Sequence, residues 1–269
     1  MVPIPVVRTP DAVSLRANDI VLLATKSQDT STALLALRDA APTSTPVVCL
    51  QNGVENERLA LRIFSDVYGA VVMAPTAHLE PGAVEAYGAA LTGQIDIGRY
   101  PSGVDDRCRT LCEALQAARF ASEPRADVMR LKHDKLIANL GNAAHAICGE
   151  GPDAEPLVER VREEGRAVLE AAGIDFGDQH VSDVRGRWES WQVGEIGGRP
   201  RAGGSTWQSI ARGTGSVETD YLNGEIVLQG RLVGVPTPVN ELLQSLMRQM
   251  VRDGHTPGWL SAAEVLARA

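Results

Sequence analysis

Asp19-Ile20-Val21-Leu22-Leu23-Ala24, then Thr25-Lys26-Ser27-Gln28, a run from Thr30 to Ala40 closed by Pro42, and Pro46-Val47-Val48-Cys49-Leu50 read together as strand, helix, strand. Both apolar runs are continuous rather than alternating, which is what strands covered on both faces require. Outward from this unit, Glu55 to Ile63 reads as a second helix and Val67 to Met73 as the next strand. On the other side, Ile4 to Val7 reads as a short extended strand. Alternation of this kind predicts a parallel α/β sheet with right-handed crossovers. Val84 to Ile97, broken by Gly88 and Gly93, reads as a terminal hairpin, and Val104 to Arg119 as a closing helix. After Phe120 the pattern becomes helical from Asp127 onward, with amphipathic runs at Pro156 to Ala172, Val217 to Val233 and Pro238 to Val251. Gly194 to Gly204, with Pro200, reads as a loop. The expectation is an α/β domain over residues 1–122 and an all-α domain over 123–269, divided near Ser122 to Arg125.

Composition excludes several classes. With 269 residues the chain can bury a large core, and 44% apolar with 22% charged residues is ordinary for a globular protein. A net charge of -8 argues against nucleic acid or an anionic membrane as partner, since either calls for a basic surface. No apolar run reaches the roughly 18 residues that span a bilayer. Met1-Val2-Pro3-Ile4-Pro5 lacks the basic and apolar regions of a signal peptide, so a cytoplasmic location is expected. Cys49, Cys108, Cys112 and Cys148 form no C-x-x-C pair and suggest neither disulfides nor zinc. Neither a Gly-x-Ser-x-Gly elbow nor His-Glu-x-x-His occurs, and His78, His133, His145, His180 and His255 are dispersed, which argues against hydrolytic chemistry.

The chemistry-bearing helix is Leu131 to Cys148. It is mostly apolar, yet Lys135, Asn139 and Asn142 fall at i, i+4 and i+7, on one face. Burying an amide without a partner costs on the order of 1 to 3 kcal/mol and an ammonium more, so this stripe is expected to face a polar cleft rather than a solvated edge. In an open parallel sheet ligands bind beyond the carboxyl ends of the strands. Two strand ends carry polar groups there: Thr25-Lys26-Ser27-Gln28 and Leu50-Gln51-Asn52-Gly53. Gly53 frees the backbone to bring Asn52 close to a bound group, although Asn-Gly also makes an ordinary turn.

These segments, with Lys135-Leu136-x-x-Asn139 and Ser216-Val217-Glu218-Thr219-Asp220-Tyr221-Leu222-Asn223-Gly224, occur in an order that resembles the ketopantoate reductase (2-dehydropantoate 2-reductase) family over nearly the whole chain. The resemblance implies an N-terminal Rossmann domain for NADPH, a helical C-terminal domain, and a 2-oxo acid substrate in the cleft between them, as in pantothenate biosynthesis. It implies Lys135 as general acid, Asn139, Glu218 and Asn142 at the substrate, and Asn52, Lys26 and Gln28 beside the cofactor. The chemistry suits the residue types. Hydride transfer to a ketone leaves negative charge on oxygen, which an ammonium stabilises and then protonates. Asn139 can donate to the same oxygen or to a carboxylate, and Glu218 can accept from a substrate hydroxyl. Glu218 could equally serve the start of a helix, with Ser216 as cap.

Three departures stand out. The family opens on a strand that runs into Gly-x-Gly-x-x-Gly, the cradle of the pyrophosphate, and nothing before Ile4 supplies it. Matching 3–7 to a middle strand implies that roughly the first two βα units are absent, making the Rossmann domain partial. The short form is therefore expected to bind NADPH weakly and to self-associate, as a homodimer or otherwise, through an exposed sheet edge. The family's reader of the ribose 2′ position falls in that same absent part, so NADPH rests on the resemblance. Second, Ala143 stands where the family carries a further asparagine, and Asn142 lies one place early. Third, Thr206, twelve residues before Glu218, replaces the family's serine. A β-hydroxyacid dehydrogenase would share Lys-x-x-x-Asn but not Gln51-Asn52-Gly53 or the Glu218 run. A catalytically impaired member, kept as a binding module, would explain the missing glycine turn.

Overall fold

A computed structural model describes residues 4–177, 193–201, 203–213 and 217–269. The main sheet has the order β1-β2-β3-β6-β7. Strands β1 (Val21–Leu23), β2 (Val47–Cys49) and β3 (Val67–Met73) are parallel, in the register Leu23 to Cys49 to Gly69, so their carboxyl ends come out side by side. Helix α1 (Thr30–Ala40) makes the first crossover and α2 (Asn56–Leu61) the second. Alternation along β2 explains its uninterrupted apolar run. Val47 and Cys49 pack with Leu34, Leu37 and Phe64 under α1 and α2, while Val48 packs with Tyr68, Ile97 and Cys108 under α3 (Asp106–Ala117). Each such side chain contributes on the order of 1.5 to 3 kcal/mol by leaving water.

The sequence-based expectations need correcting at four places. Ile4 to Val7 forms no strand; it is exposed, with Val6 88% accessible, and Pro5 has no N–H to give a ladder. The expected hairpin over 84–97 is two separate pairings. Glu85–Ala86 (β5) pairs back with Thr76–Ala77 (β4), and Gly93–Arg99 (β6) runs antiparallel to β3, with β7 (Phe120–Ala121) beyond it. Residues 217–233 are not one helix. A 3-10 turn, Glu218–Tyr221, is separated from a helix at Asn223–Val233 by Leu222, whose φ of -112° and ψ of -86° are not helical. The helix expected over 131–148 is also two: α4 (Val128–Asn139) and α5 (Gly141–Cys148). At that break the Leu140 carbonyl accepts from Asn223 Nδ2 at 3.1 Å, a side-chain partner brought in from outside the helix.

Beyond β7 the described elements are helical: α4, α5, α6 (Glu155–Ala171), α7 (Ser205–Ala211), α8 (Asn223–Val233), α9 (Pro238–Asp253) and α10 (Ala262–Leu266). They share one core, with Leu136, Leu140, Ile147, Leu157, Ile226 and Leu243 fully buried. Gly165 on α6 lies close against the Ile137 and Leu140 side chains. A Cβ there would sit 2.6 Å from Leu140 Cδ1 and 2.8 Å from Ile137 Cδ1, so those two methyls would have to move to admit one. On its other side α4 packs against β3 through Val128, Leu131 and Val71. This helix therefore lies between the sheet and the helical core. Among the described residues no helix is long and apolar enough to cross a membrane, and no group of three His, Cys, Asp or Glu could hold a metal ion.

Candidate active site

The site is built where α4 crosses the ends of the parallel strands. At the end of β2, Gly53 has a φ of +79°, a conformation that glycine adopts without penalty, and a Cβ there would lie 3.2 Å from the Tyr221 carbonyl. The turn that Gly53 permits is held by a chain of hydrogen bonds. Gln51 Nε2 donates to Thr30 Oγ1 at 2.9 Å, Thr30 Oγ1 to Asn56 Oδ1 at 2.7 Å, and Asn56 Nδ2 to the Asn52 carbonyl at 2.9 Å. The turn is thereby tied to both α1 and α2. From α4, Lys132 donates to the Gln51 carbonyl at 3.0 Å and forms an ion pair with Glu57, both side chains being almost fully buried.

Lys135 lies one turn further on. Its Nζ donates to Asn52 Oδ1 at 2.8 Å and to the Val72 carbonyl at the end of β3. Neither acceptor is charged. Burial, and then the nearby Lys132 charge, hold the Lys135 amine well below its usual value, to about 7, with Glu218 opposing. Beside it, Asn139 Nδ2 is buried and has no hydrogen-bond partner. Gln51, Asn52, Gly53, Ala70, Lys132, Lys135, Leu136 and Asn139 line one small cavity. A buried donor with nothing to donate to is costly, and an acceptor oxygen in this cavity would satisfy it.

The end of β1 forms the rim. Glu218 Oε1 accepts from the Ser27 backbone N–H at 3.0 Å and from Ser27 Oγ at 3.1 Å. That places a carboxylate at the start of the 3-10 turn Ser27–Asp29, where backbone donors lack partners. Lys26 Nζ donates to Ser209 Oγ on α7. Burial pulls the Lys26 amine below its usual value.

The structure thus brings Lys135, Asn139 and Asn52 into one cavity and sets Lys26 and Glu218 at its rim. Gln28 lies in the 3-10 turn beside them. Thr206 is buried in α7, but the α7 hydroxyl that reaches Lys26 is that of Ser209. Asn142 falls on α5, past Leu140, and does not line the cavity. Ser216 and His180 lie outside the described residues. Sequence reasoning missed Lys132, Glu57 and Ser209. Lys132 was within reach: Lys132, Lys135 and Asn139 fall at i, i+3 and i+7 on one face.

Comparison with known proteins agrees with this architecture. Residues 2–102 match the family model described as ketopantoate reductase PanE/ApbA, and residues 127–251 match its C-terminal counterpart. The chain belongs to the ketopantoate reductase family. That membership makes it an oxidoreductase. A 2-dehydropantoate 2-reductase of Archaeoglobus fulgidus is 29% identical over 239 residues, covering 86% of this chain and 76% of the relative. The crystal structure of a PanE/ApbA family ketopantoate reductase from Ralstonia eutropha JMP134 is 32% identical, with a TM-score of 0.73, covering 91% of this chain and 79% of that one. A D-mandelate dehydrogenase solved with NADH and anilino(oxo)acetate shares the fold at a TM-score of 0.74 and 20% identity, covering 92% of this chain and 80% of that one.

Proposed function

We propose that this ketopantoate reductase family member reduces a 2-oxo acid, ketopantoate or a close relative, to the 2-hydroxy acid with NADPH, and that Lys135 is the general acid. The observation that carries the reading is a half-buried lysine held by two neutral oxygens beside an asparagine amide nitrogen that has no partner. A lysine held in this way keeps a labile proton near neutral pH.

The ends of β1 and β2 fit a nicotinamide cofactor: parallel strands emerge in register, Gly53 presents no side chain, and Lys26, Gln28 and Asn52 supply polar contacts. NADPH, when bound, supplies the hydride. The chain's own residues do the rest. Asn139 Nδ2 donates to the substrate carboxylate or ketone oxygen and orients it. As hydride reaches the carbonyl carbon, the C=O π bond breaks and its electron pair moves to oxygen. Lys135 stabilises that charge and gives up its proton to form the hydroxyl, leaving a neutral amine that solvent reprotonates. Glu218 accepts from a hydroxyl on the distal part of the substrate, exchanging its bonds to Ser27 for that one. In this reading residues 1–122 hold cofactor and residues 123–269 most of the substrate contacts.

The test is NADPH oxidation followed with a panel of 2-oxo acids, with and without a distal hydroxyl, on wild-type and Lys135→Met protein. Turnover by the wild type and loss in the variant are expected. A Lys135→Met protein that turns over at the wild-type rate would remove the general acid from this scheme.

A further inference from the structure

We propose that Lys132, clamped by Glu57, is a positioning residue for Lys135, locking the turn that carries Asn52 against the amine that delivers the proton. The inference rests on the proposed reduction for its meaning, though not for its test. Lys132 Nζ bonds the Gln51 carbonyl at 3.0 Å, and that carbonyl belongs to the peptide linking Gln51 to Asn52, whose Oδ1 holds Lys135 at 2.8 Å. A single turn of α4 therefore grips both sides of one strand-end residue. The opposite side of the turn is held by Asn56, which bonds the Asn52 carbonyl, and Asn56 is the neighbour in sequence of Glu57. Without Lys132 the turn would keep its ties to α1 and α2 but would be joined to the helix that carries Lys135 by the Lys135–Asn52 bond alone.

An ion pair buried this deeply, with Lys132 3% and Glu57 0% exposed, is poorly explained by stability. Desolvating two charges costs several kcal/mol per ion, and apolar residues of similar volume commonly do as well. Burial pushes the Glu57 carboxyl up while Lys132 pulls it down. The charged groups facing Lys135 are Lys132 on its own helix, Glu218 on the 3-10 turn and, through Lys132, Glu57 on α2. From β2 and β3 it meets the neutral oxygens of Asn52 and Val72. A second cation three residues away favours the neutral amine, and its carboxylate partner moderates that push.

The experiment is an NMR titration of labelled Lys135 in the ligand-free chain, paired with the pH dependence of kcat. In Lys132→Met the Lys135 titration should rise by about half a pH unit or more, because a like charge is gone, and kcat should fall about tenfold with little change in the KM for NADPH. In Glu57→Gln, which keeps an acceptor but leaves the Lys132 charge unmatched, the titration should move down. A purely structural pair would not shift Lys135 in opposite directions. If Lys132→Met fails to fold, Lys132→Met/Glu57→Gln, which leaves no unpaired buried charge, takes its place with the same upward shift and loss of kcat expected. An unchanged Lys135 titration in the folded variants overturns the inference. A wild type that reduces no 2-oxo acid would sink the proposed reaction instead, and the titration would still decide the role of Lys132.

Discussion

One turn of α4 carries two lysines that the surrounding structure treats in opposite ways. Lys132 is given a carboxylate, Glu57, and a carbonyl, Gln51 O. Lys135, three residues on, is given an amide oxygen and a carbonyl but no carboxylate in contact. The first arrangement fixes a charge in place; the second leaves a proton that can be given away. Lys132 is the more deeply buried of the two and has the charged acceptor, while the half-buried Lys135 has neutral ones, which suits the anchor and acid roles proposed for them.

The sharpest way to break this contrast is Lys135→Met. Turnover should fall about a thousandfold with the fold intact, within the range for a general acid. Stability should move the other way. The Lys135 amine binds its proton less tightly folded, at about 7, than unfolded, near 10.5. Between those values the unfolded chain holds more protons, so the wild type gains stability as pH rises through that window. At neutral pH the variant is therefore expected to be the more stable protein, and the advantage should shrink towards pH 10.5; urea denaturation at several pH values checks it. A variant that is inactive and also less stable at pH 7 would mean that Lys135 is an anchor like its neighbour.

The next test asks whether the acid has a partner at the substrate. Asn139→Leu should lower kcat/KM about a hundredfold, in keeping with the loss of one donor to a developing oxyanion, and should not lower the melting temperature, because the lost amide bonded nothing in the free protein. Weaker still is Glu218→Ala, expected to raise KM about tenfold for a substrate with a distal hydroxyl and to matter less for one without it, as loss of a single hydrogen bond predicts. Equal effects on both substrates would reduce Glu218 to an acceptor for Ser27. Smallest is Gly53→Ala, which places a Cβ at a φ of +79°; about 1 kcal/mol of lost stability by thermal melting is expected, with kcat lowered only as far as Asn52 shifts.

The sheet was legible in the sequence because β1 and β2 lie in continuous apolar runs, although only β2 is buried on both faces and Leu22 of β1 is 53% exposed, and the helix between them ends at a clear signal, Pro42. Local pattern carried no information about strand partners. Nothing in residues 84–97 says that Glu85 pairs backward with Ala77 or that β6 reverses against β3. Of the polar stripe read from the sequence, Lys135 and Asn139 line the cavity and Asn142 does not, and the Leu140 carbonyl between them is bonded by Asn223, eighty-three residues away along the chain. Lys132 was passed over because an isolated lysine in a helix ordinarily reads as a solvated charge, and its carboxylate lies on α2, seventy-five residues earlier.

The bare backbone of Gly165 gives the helical part a remote hold on this chemistry. A side chain there would strike the terminal methyls of Ile137 and Leu140, which bracket Asn139, and one too large for those methyls to turn away from would shift α4 relative to the strand ends. Displacements of about 1 Å in a reacting group can cost on the order of a hundredfold in rate. Variation at residue 165 and its neighbours on α6 is therefore a route by which turnover can be retuned, in evolution or in a laboratory selection, without altering a single group that touches substrate.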